Sequence, residues 1–158
     1  MNDDRDRPRD RPRSSRLQVA AGDADLDSRL SDELNTYNFA ASGVTDQREV
    51  TVKVEDDAGQ LVAGLSGWTW GTCAGIAMVW VRPDSRKAGW GGRMLDAAEA
   101  IAQERGCHQV TVSSFTFQAP AFYERHGYVE TGRTKGLPID GAADVHFVKR
   151  LVPVKAVQ

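Results

Sequence analysis

The stretch RPDSRKAGWGGRML, residues 82–95, places three glycines within four positions, directly before a run of apolar residues at helical spacing. Glycines let the backbone approach a bound molecule closely, because they carry no side chain. The first N–H groups of a helix carry partial positive charge and are free to bind an anion. The stretch therefore predicts an anion site at the start of a helix, with phosphate as the first candidate.

Two established phosphate motifs differ from this stretch. A Walker A loop ends in Gly-Lys-Ser/Thr, whereas Gly92 is followed by Arg93, so no hydroxyl is available for magnesium. A dinucleotide fingerprint would place a third glycine where Met94 stands. A shorter arrangement remains, in which amides between Arg86 and Gly91 surround one pyrophosphate. Taken alone, these residues are equally typical of an ordinary glycine-rich turn.

The 158-residue chain has the length of one domain, and no apolar run reaches the roughly 20 residues that span a bilayer. Cys73 and Cys107 are too few for a disulfide framework, and they lack the spacing of zinc ligands. The composition therefore predicts a cytoplasmic protein with no membrane segment and no metal site.

Residues 1–16, MNDDRDRPRDRPRSSR, mix proline with alternating charges and have no apolar residue after Met1. Such a segment cannot bury enough surface to fold, so we expect a disordered tail over 1–16 and a single domain over 17–158. The tail holds 6 of the 20 basic and 4 of the 22 acidic residues, which leaves the rest mildly acidic. The interleaved aspartates argue against nucleic acid, and the acidic body favours a cationic small substrate.

The spacing of apolar residues predicts elements in the order β-α-β-β-β-α-β-α-β-β. A hairpin turn is expected at 57–59, and Gly106 is expected to end the second helix. Strands are expected at 15–22, 50–54, 61–70, 74–81, 109–115, 128–133 and 145–151, and helices within 24–39, 92–105 and 119–126.

Two segments carry a resemblance to a known family. The loop RKAGWGG, residues 86–92, is similar to the Arg/Gln-x-x-Gly-x-Gly/Ala signature of GNAT-type N-acetyltransferases. APAFYERHGY, residues 119–128, resembles that family's Ala…Phe-Tyr…Gly-aromatic segment. The resemblance covers nearly all of the chain after the tail. It implies an α/β fold of the α+β type, with a mixed, mostly antiparallel central sheet and flanking helices.

The acetyl donor of this family is acetyl-CoA, so the resemblance implies that the glycine loop holds the pyrophosphate of the coenzyme on backbone amides. The strand before the loop would pair its main chain with the pantetheine arm. Lys87 stands where many relatives have glycine, and we expect no positive φ at this position. The implied coenzyme-binding residues are Val79, Val81, Arg86, Lys87, Ala88, Gly89, Trp90, Gly91 and Gly92.

By the same resemblance, Tyr123 is the catalytic acid that returns a proton to the leaving thiolate. Its spacing alone is also typical of a tyrosine packed in the core, which is where we expect Phe122. Many relatives use a glutamate on the central strand as general base, but CAGIAMVWV, residues 73–81, has no carboxylate. We therefore expect a water chain to remove the proton of the amine. Asp84 could lie at the mouth of the cleft, but a solvated position in the turn before the loop is expected. His108 and His126 are expected at helix ends or at the surface.

The implied function is acetyl transfer from acetyl-CoA to the primary amine of a small molecule or peptide. An acyl-CoA-binding sensor without turnover is the main alternative, and an arginine arm that binds nucleic acid is a weaker one. A homodimer is one open option for the assembly. Trp68, Trp70 and Trp80 would suit a pocket for an aromatic or cationic amine, although core packing is the simpler explanation.

Overall fold

The computed structural model describes residues 16–152. The predicted disordered tail, apart from Arg16, lies outside this described part of the chain, as do residues 153–158. The elements are α1 (Leu26–Ser42), β1 (Arg48–Glu55), β2 (Leu61–Trp70), β3 (Cys73–Val81), a short 3-10 turn (Pro83–Ser85), α2 (Trp90–Glu104), β4 (Gln109–Phe115), α3 (Pro120–Arg125), β5 (Val129–Lys135) and β6 (Ala143–Arg150).

Over the described residues, six strands form one sheet in the order β1-β2-β3-β4-β6-β5. Every neighbouring pair is antiparallel except β3 and β4, which run parallel. The predicted fold class, a mixed and mostly antiparallel sheet with helices, is confirmed. The chain divides into two compact units, Met1–Asn38 and Phe39–Gln158, and all six of these strands lie in the second unit.

The strand predicted at 15–22 is absent from residues 16–22. Leu17 and Val19 are 88% and 89% exposed, and none of the strands in the sheet pairs with this segment. A strand depends on ladder hydrogen bonds to a neighbour. The prediction was wrong because two alternating apolar residues indicate only that one side of the segment is apolar. A strand also needs a neighbouring strand to pair with, and the pattern does not provide one.

The predicted first helix is confirmed as α1, and both of its ends have local causes. At the start, the Asp23 carboxylate accepts hydrogen bonds from the N–H groups of Asp25 and Leu26, at 3.1 and 3.2 Å. This side-chain cap satisfies backbone donors that have no partner within the helix. At the end, Gly43 adopts a φ of 71° and its N–H donates to the Phe39 carbonyl at 2.9 Å.

The core of the second unit combines one face of α2 with the inward side chains of the strands. The helix ends at the predicted stop, where Gly106 has a φ of 84° and its N–H donates to the Gln103 carbonyl. Each large apolar side chain buried here contributes about 1.5–3 kcal/mol. The main buried contributors are Met94, Leu95, Ala98 and Ala102 from α2, Val110 and Val112 from β4, and Val145 and Phe147 from β6.

A polar cluster lies within this core. The buried carboxylate of Glu99 in α2 accepts a hydrogen bond from the Tyr128 hydroxyl at 3.0 Å and pairs with the Lys149 ammonium at 2.6 Å. Burial, and next the charge of Glu99, raise the pKa of Tyr128 well above its usual range. The Tyr128 hydroxyl and the Lys149 ammonium offset the cost of burying the Glu99 carboxylate. The cluster therefore links α2 to β6 and to the residue before β5.

The sheet opens between β3 and β4. These strands pair over three residues, Cys73–Gly75 of β3 with Gln109–Thr111 of β4. On its other edge β3 carries a bulge, because consecutive residues Ser66 and Gly67 of β2 pair with Met78 and Ile76 and leave Ala77 unpaired. A bulge bends its strand and disrupts the ladder locally. The bend accounts for the separation of β3 from β4 after Gly75.

A close backbone contact accompanies the bulge. A Cβ atom placed on Gly67 would lie 2.2 Å from the carbonyl oxygen of Gly75, and one on Gly75 would lie 2.4 Å from the Trp68 ring. No side chain fits at either position without movement of the backbone or of the ring. Glycine at 67 and 75 therefore permits the approach of β2 to β3 beside the bulge.

We predict that Gly67→Ala lowers the free energy of unfolding by about 1–3 kcal/mol, because the added methyl group meets rigid backbone. Urea denaturation followed by circular dichroism measures this change. Gly132→Ala in β5 is the matched control, since a Cβ atom there meets nothing within 4 Å. The control should change stability by less than about 0.5 kcal/mol, and equal stability of the two variants would contradict the contact.

Candidate functional site

A cleft of about 860 Å³ lies where β3 and β4 separate. Its volume falls within the range of about 300–1,000 Å³ that is usual for small-molecule and cofactor sites. One wall is the outer half of β3, residues 76–81, and another is formed by Val112–Ser114 of β4. The remaining walls come from the glycine loop, the first turn of α2, and α3 with the segment before it.

The glycine loop occupies one side of this cleft. Gly89 has a φ of 82° and immediately precedes α2, which begins at Trp90, two residues earlier than expected. No side chain caps this helix end. The first N–H groups of α2 therefore have no partner within the helix and carry its positive dipole end. This arrangement suits an anion such as a pyrophosphate.

Most of the residues predicted to bind the coenzyme line the cleft. They are Val79, Val81, Arg86, Lys87, Gly89, Trp90, Gly91 and Gly92, whereas Ala88 is not among the lining residues. The Arg86 guanidinium donates to the Val81 carbonyl at 3.2 Å, which ties the loop to the end of β3. The loop and the outer half of β3 thus form one continuous wall.

Lys87 differs from the expectation in its backbone. Its φ is 70°, in the left-handed region, whereas the sequence analysis expected no positive φ there. A residue with a Cβ atom pays about 1–2 kcal/mol for this conformation relative to the right-handed one. The expectation was wrong because the chain must reverse between Arg86 and Gly89 to start α2, and two positions of the loop, Lys87 and Gly89, take up positive φ.

Gly91 and Gly92 have a packing role in addition to their predicted place in the coenzyme site. A Cβ atom on Gly91 would lie 2.9 Å from the Phe122 ring, and one on Gly92 would lie 2.7 Å from Nε2 of His126. Both glycines therefore allow α3 to pack directly against the first turn of α2. Phe122, expected in the core, is only partly buried and lines the cleft.

Tyr123 lines the cleft and is 7% exposed. Its ring makes edge contacts with Phe122 and Tyr128, at centroid distances of 5.2 and 5.7 Å. Burial raises the pKa of the Tyr123 hydroxyl. A phenol with a raised pKa keeps its proton at neutral pH and is available as a proton donor.

Asp84 lies in a network of ion pairs at the base of the loop. Arg82 binds Asp84 and Asp56, each at 2.8 Å, and the Ser85 hydroxyl also donates to Asp84 at 2.8 Å. The Arg82 hydrogen bond lowers the pKa of Asp84. These contacts join the loop to the hairpin between β1 and β2, so Asp84 anchors the loop and is not a free base.

The cleft lining decides between the remaining candidates, a carboxylate base and the three tryptophans. Among the described residues that line the cleft, none carries a carboxylate. Trp80 lines the cleft and is 44% exposed, whereas Trp68 packs against Gly75 and the Trp70 indole donates to the Val44 carbonyl at 3.0 Å. Of the three tryptophans, Trp80 is thus the one that faces the site.

His126, expected at a helix end or at the surface, directly follows α3 and lines the cleft, while His108 is exposed and outside it. Within residues 16–152, no cluster of histidine, cysteine and acidic side chains is arranged to hold a metal ion. None of the helices described is long and apolar enough to cross a membrane.

The sequence of the chain is similar to those of known acetyltransferases. A family model described as an acetyltransferase (GNAT) domain matches residues 47–130, more than half of the chain. An acetyltransferase of Agrobacterium fabrum is 28% identical over 110 residues, which cover 70% of this chain and 80% of that protein. The blasticidin-S acetyltransferase of Streptomyces morookaense is 41% identical over 76 residues, 46% of this chain and 54% of that protein.

Among solved structures, an acetyltransferase from Bacillus cereus superposes with a TM-score of 0.72 at 30% identity. The match covers 85% of this chain and 98% of that one. It extends the similarity beyond the region of the family model to most of the described elements.

We predict that Lys87→Gly raises the free energy of unfolding by about 0.5–1 kcal/mol. Glycine removes the cost of the left-handed conformation, and part of that gain is offset by the greater freedom of glycine in the unfolded chain. Chemical denaturation of the parent and the variant measures the difference. Lys87→Ala is the control, because it removes the same charge but keeps a Cβ atom, and a gain as large as that of glycine would contradict the backbone strain.

Proposed function

Because the chain belongs to the GNAT acetyltransferase family, we propose that it transfers the acetyl group of acetyl-CoA to the primary amine of a small molecule or peptide. The observation that carries the proposal is the cleft between β3 and β4, with the first turn of α2 and Tyr123 on its walls. The helix end would hold the pyrophosphate of the coenzyme, and the buried proton donor would protonate its leaving thiolate. The relative named for blasticidin S supports a small-molecule acceptor.

The lining of the cleft suits the chemistry of the coenzyme. Arg86, Lys87 and the free amides of α2 are suited to a pyrophosphate, since charge-assisted hydrogen bonds contribute about 1.5–3 kcal/mol each. The edge of β3 that leaves β4 after Gly75 offers main-chain groups for the amides of pantetheine. When bound, the coenzyme supplies an acetyl group activated as a thioester.

Tyr123 holds a proton on its hydroxyl oxygen at the cleft wall. The raised pKa keeps that proton in place at neutral pH, so the hydroxyl can donate it to the thiolate that leaves when the amine attacks. The residue then acts as the general acid of the transfer. Its contacts with Phe122 and Tyr128 fix the ring and limit its motion.

The amine attacks directly in this proposal, without an acetylated protein residue. Burial raises the pKa of both Cys73 and Cys107, so each thiol stays protonated at neutral pH. Neither cysteine is among the residues that line the cleft. An alkyl ammonium with a pKa near about 10.4 must lose a proton before it attacks, and we assign this step to water that contacts backbone carbonyls in the cleft.

We predict that acetyl-CoA stabilises the protein by about 2.7 kcal/mol when its concentration is one hundred times the dissociation constant. The measurement is thermal unfolding with and without ligand, together with thioester consumption across a panel of amines. Binding with no consumption for any amine would indicate the acyl-CoA sensor instead. The absence of any shift at millimolar acetyl-CoA would contradict both functions.

We predict that Tyr123→Phe lowers turnover by about 10²–10⁴-fold while the affinity for acetyl-CoA stays unchanged. The substitution removes the proton donor and keeps the ring that packs against Phe122 and Tyr128. Tyr128→Phe is the matched control, because it removes a buried hydroxyl nearby that binds Glu99 and does not line the cleft. Equal turnover of the parent and Tyr123→Phe would leave Tyr123 as a packing residue.

A further inference from the structure

His126 is held at the end of α3 by contacts that fix its ring. Its Nδ1 lies 2.7 Å from the Phe122 carbonyl oxygen, and its ring lies against the Phe122 ring at a centroid distance of 4.4 Å, with the two planes tilted by 46°. A carbonyl oxygen accepts hydrogen bonds and cannot donate them, so Nδ1 must carry the proton. The charge state of the ring is therefore decided at its other nitrogen, Nε2.

Nε2 points at the first turn of α2. A Cβ atom on Gly92 would lie 2.7 Å from Nε2, so the absence of a side chain there brings the nitrogen onto the helix end. His126, Gly91 and Gly92 all line the cleft. An anion bound to the free amides of this turn would thus lie beside Nε2.

The two charge states of the ring respond to such an anion in opposite ways. A neutral ring presents the lone pair of Nε2, which repels an anion. A protonated ring presents an N–H group and a positive charge, and it forms a charge-assisted hydrogen bond. An imidazole changes between these states within the range of pH 5–8.

We propose that His126 binds the pyrophosphate of the coenzyme through Nε2 and takes up a proton when the coenzyme binds. The inference rests on the proposed function and adds a residue that the glycine-loop motif does not contain. The proposal predicts that coenzyme affinity is higher at pH 6 than at pH 8, because only the protonated ring donates a hydrogen bond from Nε2. The assignment follows from the fixed Nδ1 proton and from the position of Nε2 on the first turn of α2.

Several other charged side chains lie on the elements around His126. The ordinary pKa values of arginine, lysine and carboxylic acid side chains lie outside the range of pH 6–8. Burial raises the pKa of Tyr123 and Tyr128, so both remain neutral. The charged side chains on the surrounding elements include Arg86 and Lys87 in the loop, Arg93 and Asp96 in α2, Glu124 and Arg125 in α3, Glu130 and Arg133 in β5, and Lys149 with Glu99 behind Gly127.

The coenzyme has one group that titrates in the same range, the phosphate monoester on its ribose, with a second pKa near about 6. Dephospho-CoA lacks this group and keeps the pyrophosphate, so any pH dependence of its binding comes from the protein. Isothermal titration calorimetry with dephospho-CoA at pH 6 and pH 8 is therefore the test. CoA itself serves as the second ligand.

We expect the parent protein to bind dephospho-CoA about five- to tenfold more tightly at pH 6 than at pH 8, because only the protonated ring donates a hydrogen bond to the pyrophosphate. His126→Asn keeps a donor for the Phe122 carbonyl and removes Nε2, so its affinity should vary less than about twofold over this range. His126→Gln places an uncharged N–H near the position of Nε2, and it should bind more tightly than His126→Asn without pH dependence.

His108→Asn and His146→Asn are the matched controls, because these two histidines lie outside the cleft lining. Both controls should keep the pH dependence of the parent. Titrations of the parent at pH 7 in buffers of different ionisation enthalpy should show the uptake of a fraction of a proton, which tests the proposal without any variant. No uptake, or the same pH dependence in His126→Asn as in the parent, would overturn it.

The outcome also separates this inference from the proposed function. A parent protein that binds neither CoA nor dephospho-CoA at any pH would show that the proposed function is wrong. A parent that binds both, with a pH dependence seen for CoA and absent for dephospho-CoA, would assign the effect to the ribose phosphate. In that case the site would stand, and the role of His126 would be refuted.

Discussion

The short parallel pairing of β3 with β4 is the constraint on which the rest of the site depends. Three residue pairs hold the two strands together, and beyond them the bulge at Ala77 turns β3 away. A fully paired sheet would leave no cleft and no free strand edge. The separation costs ladder hydrogen bonds, and the buried core on α2 and the inner strands provides the stability that offsets this loss.

The cleft then brings together groups from distant parts of the chain. The glycine loop follows β3 directly, so the bend that opens the sheet also directs the loop and the start of α2. α3 follows β4 after a short segment and places Tyr123 on the wall of the cleft, next to the first turn of α2. One departure from regular pairing thus brings the first turn of α2 and Tyr123, the proposed anion site and the proposed proton donor, into the same cleft.

Much of this arrangement can be read from the sequence, because its signals are local. The alternation in β1 to β3, the apolar face of α2 and the stop at Gly106 depend on neighbours a few residues away, and these elements formed as predicted. The strand at 15–22 failed because strand formation needs a partner that local pattern does not specify. The positive φ of Lys87 was missed for a related reason, since the path of the chain into α2 demands it.

The contact of α2 with α3 joins residues that are distant in the sequence, so the pattern of neighbouring residues does not predict it. Gly91 and Gly92 looked like ligand-facing glycines, and the structure shows that they also receive Phe122 and His126. The first turn of α2 and α3 therefore pack against each other through these four residues, and neither can be exchanged without the other. A chimera that takes α3 from a relative with a larger side chain at Phe122 or His126 would have to take the first turn of α2 with it, so natural variation at these four positions should be coupled.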